Sequence, residues 1–92
     1  DEVSLGDNVC ISQGAFLLCG NHNYKSATID LMIGPITIES GAWIGAKSIL
    51  CPGVKVASHA ILSVGSLANS DLEAYTIYKG NPAVKCKQRI IE

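Results

Sequence analysis

The sequence predicts an all-β chain, a parallel β-helix wound from six-residue repeats. Three observations predict it: an aliphatic residue at every sixth position, a small residue at a fixed offset from it, and a glycine-rich composition with few aromatics. Every sixth position from Ile38 reads Ile38, Ile44, Leu50, Val56, Leu62 and Ala68. Four residues after each stand Ala42, Ser48, Val54, Ala60, Ser66 and Leu72, mostly small. The same six-residue pattern runs upstream through Leu5, Ile11 and Leu17, with Val9, Ala15 and Asn21 at the small position. A period of six suits neither an α-helix, whose two turns take about seven residues, nor an alternating strand alone. It suits a short strand and a corner, repeated around a three-sided prism of about 18 residues per coil. Successive coils then stack about 4.8 Å apart through parallel strand pairing. The aliphatic residue points inward, and the small one fits where the backbone bends.

Composition agrees. Of 92 residues, 48% are hydrophobic and only 5% aromatic, with nine glycines spread along the chain. That mix favours many short strands over large helices. A core this small draws its stability from regular stacking or from oligomerisation. The net charge of -1 provides no basic field for nucleic acid. No apolar run approaches the roughly 20 residues of a membrane-spanning helix, and no signal peptide is expected. The chain opens partway into a repeat and without Met, so upstream residues holding targeting or acceptor contacts are expected. Cys10, Cys19, Cys51 and Cys86 form no CxxC pair. They read as reduced, half-buried thiols of a cytoplasmic protein.

The organisation follows in order. Residues 1–74 form the β-helix, about three coils, in blocks such as ISQGAF, IESGAW, IGAKSI and VASHAI. The period breaks once, since Leu17 and Met32 are 15 residues apart. If LLCGNH closes one coil, MIGPIT opens the next, and residues 23–31 (NYKSATIDL) protrude as a loop from a corner. A loop on a rigid scaffold often carries function. Beyond Leu72 the repeat fades into YTIYKGNPA, with a Gly-Asn-Pro turn signal, and then VKCKQRIIE. Residues 75–92 read as a cap, a last strand or short helix over an end that would otherwise invite edge-to-edge association.

These blocks resemble the hexapeptide-repeat acyltransferases, and the resemblance implies a left-handed parallel β-helix. Pro35-Ile36-Thr37-Ile38 through Gly41-Ala42-Trp43-Ile44-Gly45 is similar to a stretch of the galactoside and maltose O-acetyltransferases. Pro52-Gly53-Val54 and Gly80-Asn81-Pro82-Ala83 match two further signatures. Gly20-Asn21-His22-Asn23-Tyr24 with Asp30-Leu31 is most similar to the colanic-acid and exopolysaccharide branch. Two departures stand out. Asn69-Ser70-Asp71 replaces a Thr-Lys-Asp whose lysine commonly meets cofactor phosphates, and Val84 stands where a basic residue is frequent.

Such family members transfer an acetyl group from acetyl-CoA to a hydroxyl. That chemistry needs a base for the hydroxyl proton and donors for the oxyanion. A neutral histidine suits the first task, because its ordinary pKa lies near working pH. His22 stands where the repeat breaks and is expected to be the general base. His59, at the fourth position of VASHAI, is expected to be a solvated surface residue. Trp43 faces outward in its hexad and is expected to stack on a sugar, line the pantetheine groove or pack between subunits. Asn21, Tyr24 and Asp30 are candidates for acceptor contacts. The resemblance further implies pantetheine contacts at Ala46, Val64 and Gly65 and phosphate contacts at Lys85, Lys87 and Arg89. It implies a homotrimer with sites between subunits, and no metal. The leading expectation is O-acetylation of a sugar or polysaccharide-precursor hydroxyl. Alternatives are another acceptor on the same fold (a serine, an amino sugar, an antibiotic) or a non-catalytic assembly module. A γ-carbonic anhydrase would need three zinc-ligating histidines, and the chain has two.

Overall fold

The hexads wind into a triangular prism in the computed structural model, which describes residues 3–18, 20–22 and 31–91. The first coil holds β1 (Val3–Leu5), β2 (Cys10–Ile11) and β3 (Phe16–Leu17). An excursion follows, with β4 (Gly20–His22) and β5 (Leu31–Ile33). The second coil holds β6 (Ile36–Ile38), β7 (Trp43–Ile44) and β8 (Ile49–Leu50). The third holds β9 (Lys55–Val56), β10 (Ile61–Leu62) and β11 (Leu67–Ala68). The chain ends in β12 (Thr76–Gly80) and β13 (Ala83–Gln88). The first face of the prism is β1-β6-β9, the second β2-β7-β10-β12-β13, and the third β3-β8-β11.

Stacking is parallel between coils and keeps the hexad phase. Ile11, Ile44, Leu62 and Tyr78 form one inward column, and Leu17, Leu50 and Ala68 another. Ile38, Ile44, Leu50, Val56 and Leu62 are wholly buried. Fully burying one such side chain contributes about 1.5–3 kcal/mol. Leu5, stacked on Ile38 in a third column, and Ile11 stay exposed, because no described residue stacks on their outer side. The small positions from Ala42 to Leu72 are also buried, and the Ser48 hydroxyl is satisfied by donating to the Ser63 carbonyl at 2.8 Å.

The corners correct the expected place of the bend. The left-handed residue is the fourth of each hexad, one before the small one. Asn8, Gly14, Gly41, Lys47, Gly53, His59 and Gly65 all have φ between 57° and 81°. Glycine adopts that conformation freely, whereas a side chain there is strained. His59, at one of these corners, is half-buried and not a solvated surface residue. Its ring stacks on Tyr75 at 4.6 Å, and its Nδ1 lies 2.9 Å from the Ser58 hydroxyl.

Two further expectations are corrected. The excursion is wider than residues 23–31. β4 and β5 pair antiparallel, Gly20 with Ile33 and His22 with Leu31, so Met32 belongs to this stem and does not open a coil. The prism resumes at Gly34, packed so closely on Gly53 of the next coil that a Cβ would lie 2.6 Å from its nitrogen. The cap is a pair of strands, not a helix. Tyr78 is the inward residue of β12, 5% exposed, and its hydroxyl accepts the Glu73 amide at 2.9 Å. Asp71 accepts the Lys55 amide and Ser66 the Gly80 amide, which satisfies the backbone of the last coil. The outer edge of the second face is β13, where Lys85 and Lys87 discourage further strand addition.

Candidate functional site

The outward residues of the three faces differ sharply. Those of the first face are polar, Ser4, Thr37 and Lys55. The second face carries Cys10, Trp43, Ile61 and Ile77 in register. The third carries Phe16, Ile49 and Leu67. Trp43 is 47% exposed and Phe16 63%. Alternation of the short strands forces this pattern: with Ile44 turned in, Trp43 turns out.

Two cavities flank Trp43 on the second face. One, about 230 Å³, is lined by Trp43, Gly45, Ile61, Leu62, Ser63 and Val64. The other, about 420 Å³, shares Trp43 and Ile61 and reaches Ile77, Lys87, Gln88 and Arg89. Together they make one track, with an apolar floor and a basic end. Gly45 keeps the floor low, since a Cβ there would lie 2.7 Å from both the Leu62 carbonyl oxygen and the Val64 nitrogen. Ala46 and Gly65 belong to the same corner, where the Gly65 amide donates to the Ala46 carbonyl at 2.9 Å. Val64 is 73% exposed at its tip. The predicted Ala46, Val64, Gly65 and Trp43 are thus neighbours.

The basic trio does not stay together. A bulge between Ile77 and Tyr78 leaves Lys87 opposite Ile77, on the outer side, and Lys85 opposite Tyr78, on the inner side. Lys85 meets the Glu73 carboxylate at 2.7 Å, and that hydrogen bond and charge raise its pKa. Both groups are well exposed, so the pair adds little stability. Arg89 lines the track, but its Nη1 donates to the carbonyls of Gly41 and His59, at 2.9 and 3.1 Å. Its amide also donates to the Tyr75 carbonyl. Arg89 therefore pins the end of β13 to a corner, and Lys87 is left as the outward lysine of the track. Val84 is exposed on the edge strand, away from these two.

His22 and Asn21 lie on β4, in the stem of the excursion, at the corner between the third and first faces. Tyr24 and Asp30 lie outside the described residues. In a triangular prism that corner is opposite the second face. Sequence reasoning missed Ser12, whose hydroxyl accepts the Trp43 indole N–H at 3.0 Å, and the floor residues Ile61 and Ile77. Their signal was the register of Cys10 on Trp43, which the break in the repeat obscured. Among the described residues no three His, Cys, Asp or Glu side chains converge as a metal site. No described helix is long and apolar enough to cross a membrane.

No family model matches the chain. It is 28% identical over 89 residues to a protein named for colanic acid biosynthesis, the acetyltransferase WcaF of Escherichia coli (strain K12), covering 97% of this chain and 49% of that one. It is 31% identical over 101 residues to a chloramphenicol acetyltransferase of Escherichia coli, covering 88% and 48%. The chain thus spans about half the length of the curated relatives it matches. Among solved structures, galactoside acetyltransferase in complex with coenzyme A superposes with a TM-score of 0.88 at 26% identity, covering 94% of this chain and 44% of that one. By its repeats, its fold and these likenesses, the chain is similar to the hexapeptide-repeat acetyltransferases and has the left-handed parallel β-helix.

Proposed function

We propose that the protein transfers the acetyl group of acetyl-CoA to a hydroxyl of a sugar or polysaccharide precursor, with His22 as general base. The observation that carries the reading is the track on the second face, apolar along Gly45, Ile61, Val64 and Trp43 and basic at Lys87 and Arg89. Its shape suits a long, flexible arm ending in phosphates. The CoA-bound galactoside acetyltransferase supports the cofactor, and the colanic-acid relative supports the saccharide. His22 takes the acceptor proton as the oxygen attacks the thioester carbonyl. The tetrahedral intermediate then collapses, the C–S bond breaks, and the proton passes to the leaving thiolate. A positioned base of this kind supplies about 10²- to 10⁴-fold. Asn21, Tyr24 and Asp30 are proposed to hold the acceptor, and Ala46, Val64 and Gly65 the pantetheine arm through backbone groups. Use of acetyl-CoA also favours a cytoplasmic setting.

The same geometry supports a homotrimer. A ring subunit has two neighbours, and this one has two apolar outer faces and one polar face. When the third face of one copy lies against the second face of the next, the corner that carries β4 comes beside the track of that neighbour. His22 and the track then meet only between chains. Mixing inactive His22→Ala and Trp43→Ala proteins after joint refolding tests this. Recovery of about a quarter of wild-type activity, the statistical share of intact sites, is expected. No recovery, with mixed trimers present, refutes the shared site. Near-wild-type turnover by His22→Ala refutes the base.

The likeness to chloramphenicol acetyltransferase favours a second reading, in which the hydroxyl belongs to an antibiotic. Turnover of chloramphenicol but no saccharide would establish it.

A further inference from the structure

We infer that Ser12 is a positioning residue: its hydroxyl latches the Trp43 indole toward the first coil and so keeps the track on the second face open. The inference rests on the proposed reading of that track as the acetyl-CoA groove.

Trp43 stands in the middle rung of the second face, between Cys10 above and Ile61 below. The ring is 47% exposed and borders both cavities, so its direction decides how much of the floor is covered. The one hydrogen bond on its Nε1 runs to the Ser12 Oγ at 3.0 Å, across 31 residues of sequence. Ser12 is itself fixed. Its amide donates to the Ile44 carbonyl at 2.9 Å, directly after the rung that holds Trp43, and its side chain is half-buried at the corner. The bond therefore turns the indole toward β2 and away from β10. Without it, an exposed side chain with two free torsions samples other staggered rotamers. Those that swing toward Ile61 place the ring over the 230 Å³ cavity, whose lining includes Ile61, Ser63 and Val64. A cofactor would then have to displace the ring before binding.

The test uses the sole tryptophan of the chain as its own reporter. In ligand-free wild-type protein the Trp43 anisotropy is expected to decay only with overall tumbling. Ser12→Ala adds a fast local component, and Ser12→Thr, which keeps a hydroxyl, does not. In turnover assays Ser12→Ala raises KM for acetyl-CoA about three- to tenfold, the equivalent of one ordinary hydrogen bond, with kcat within about twofold. In a Trp43→Phe background the same serine substitution leaves KM unchanged. Wild-type anisotropy in Ser12→Ala overturns the latch. A fast component with no rise in KM, or a rise that persists in the Trp43→Phe background, overturns its service to the track. If wild-type protein binds no acetyl-CoA by calorimetry, the proposed function falls, while the anisotropy still decides the latch.

Discussion

Replacing Gly45 with alanine should be far more damaging than replacing Gly53, although only Gly53 has a left-handed backbone. A methyl group at Gly45 would lie 2.7 Å from the Leu62 oxygen and the Val64 nitrogen and 2.8 Å from the Ser63 carbonyl carbon. That is about 0.7 Å inside ordinary contact, and every offending atom is backbone of the next coil. Relief requires the second and third coils to part locally. The bonds at risk are Gly45 N–H to Leu62 O at 2.8 Å and Trp43 N–H to Ala60 O at 2.9 Å. Two weakened bonds at about 0.5–1.5 kcal/mol each, with overpacking of about 1–3 kcal/mol, give roughly 3 kcal/mol. At about 4–8 °C per kcal/mol for a domain of this size, Tm falls by roughly 12–24 °C. At Gly53, φ is +81° and nothing lies within 4 Å of the added methyl. Its cost is the left-handed conformation alone, about 1–2 kcal/mol, less what alanine saves in the unfolded chain, so roughly 1 kcal/mol remains. Thermal unfolding followed by far-ultraviolet circular dichroism ranks the two. If Gly53→Ala loses as much as Gly45→Ala, the steric account of the coil contact is wrong.

Other outcomes follow from the same structure. Lys47→Gly removes a left-handed side chain (φ 57°); the relief of about 1–2 kcal/mol exceeds the entropic cost of glycine, so the urea midpoint should rise slightly. Arg89→Met leaves the Gly41 and His59 carbonyls without their guanidinium donor, and amide exchange should accelerate along β13 before anywhere on β6 to β11. Burial raises the pKa of the half-buried Cys51 thiol, so Cys10 and Cys86, both exposed, should alkylate ahead of it when labelled peptides are quantified at neutral pH. Lys85 has its pKa raised by Glu73. The small stabilisation from that pair is present below the ordinary lysine pKa and fades as pH rises through the raised value; Glu73→Gln should remove this alkaline dependence of Tm and leave neutral stability almost unchanged.

The prism was legible because its signal is one residue deep. Ile38, Ile44, Leu50, Val56 and Leu62 repeat at a spacing that no helix shares, and all five are wholly buried. What escaped notice depends on which coil lies on which. The stem at Gly20–His22 and Leu31–Ile33 has no periodic signature of its own, so Met32 passed as a hexad leader. Lysines two apart in sequence should share a face of a strand, and only the bulge at Ile77/Tyr78 divides Lys85 from Lys87. Arg89 read as a phosphate contact alone, because a sequence reveals its charge but not the two carbonyls its guanidinium also meets. His59 looked solvated because Tyr75, which covers it, lies beyond the recognisable repeat.

The excursion leaves the prism after Leu18, whose amide still bonds Leu50, and returns at Gly34, already packed on Gly53. Both ends of the detour are therefore held at one corner by contacts that do not involve the detour. It is clamped like a bit in a drill chuck. Loop-closure entropy grows only slowly with length, so this segment can be shortened, lengthened or exchanged while β3 and β6 keep their register. A lineage could change the bit and keep the drill.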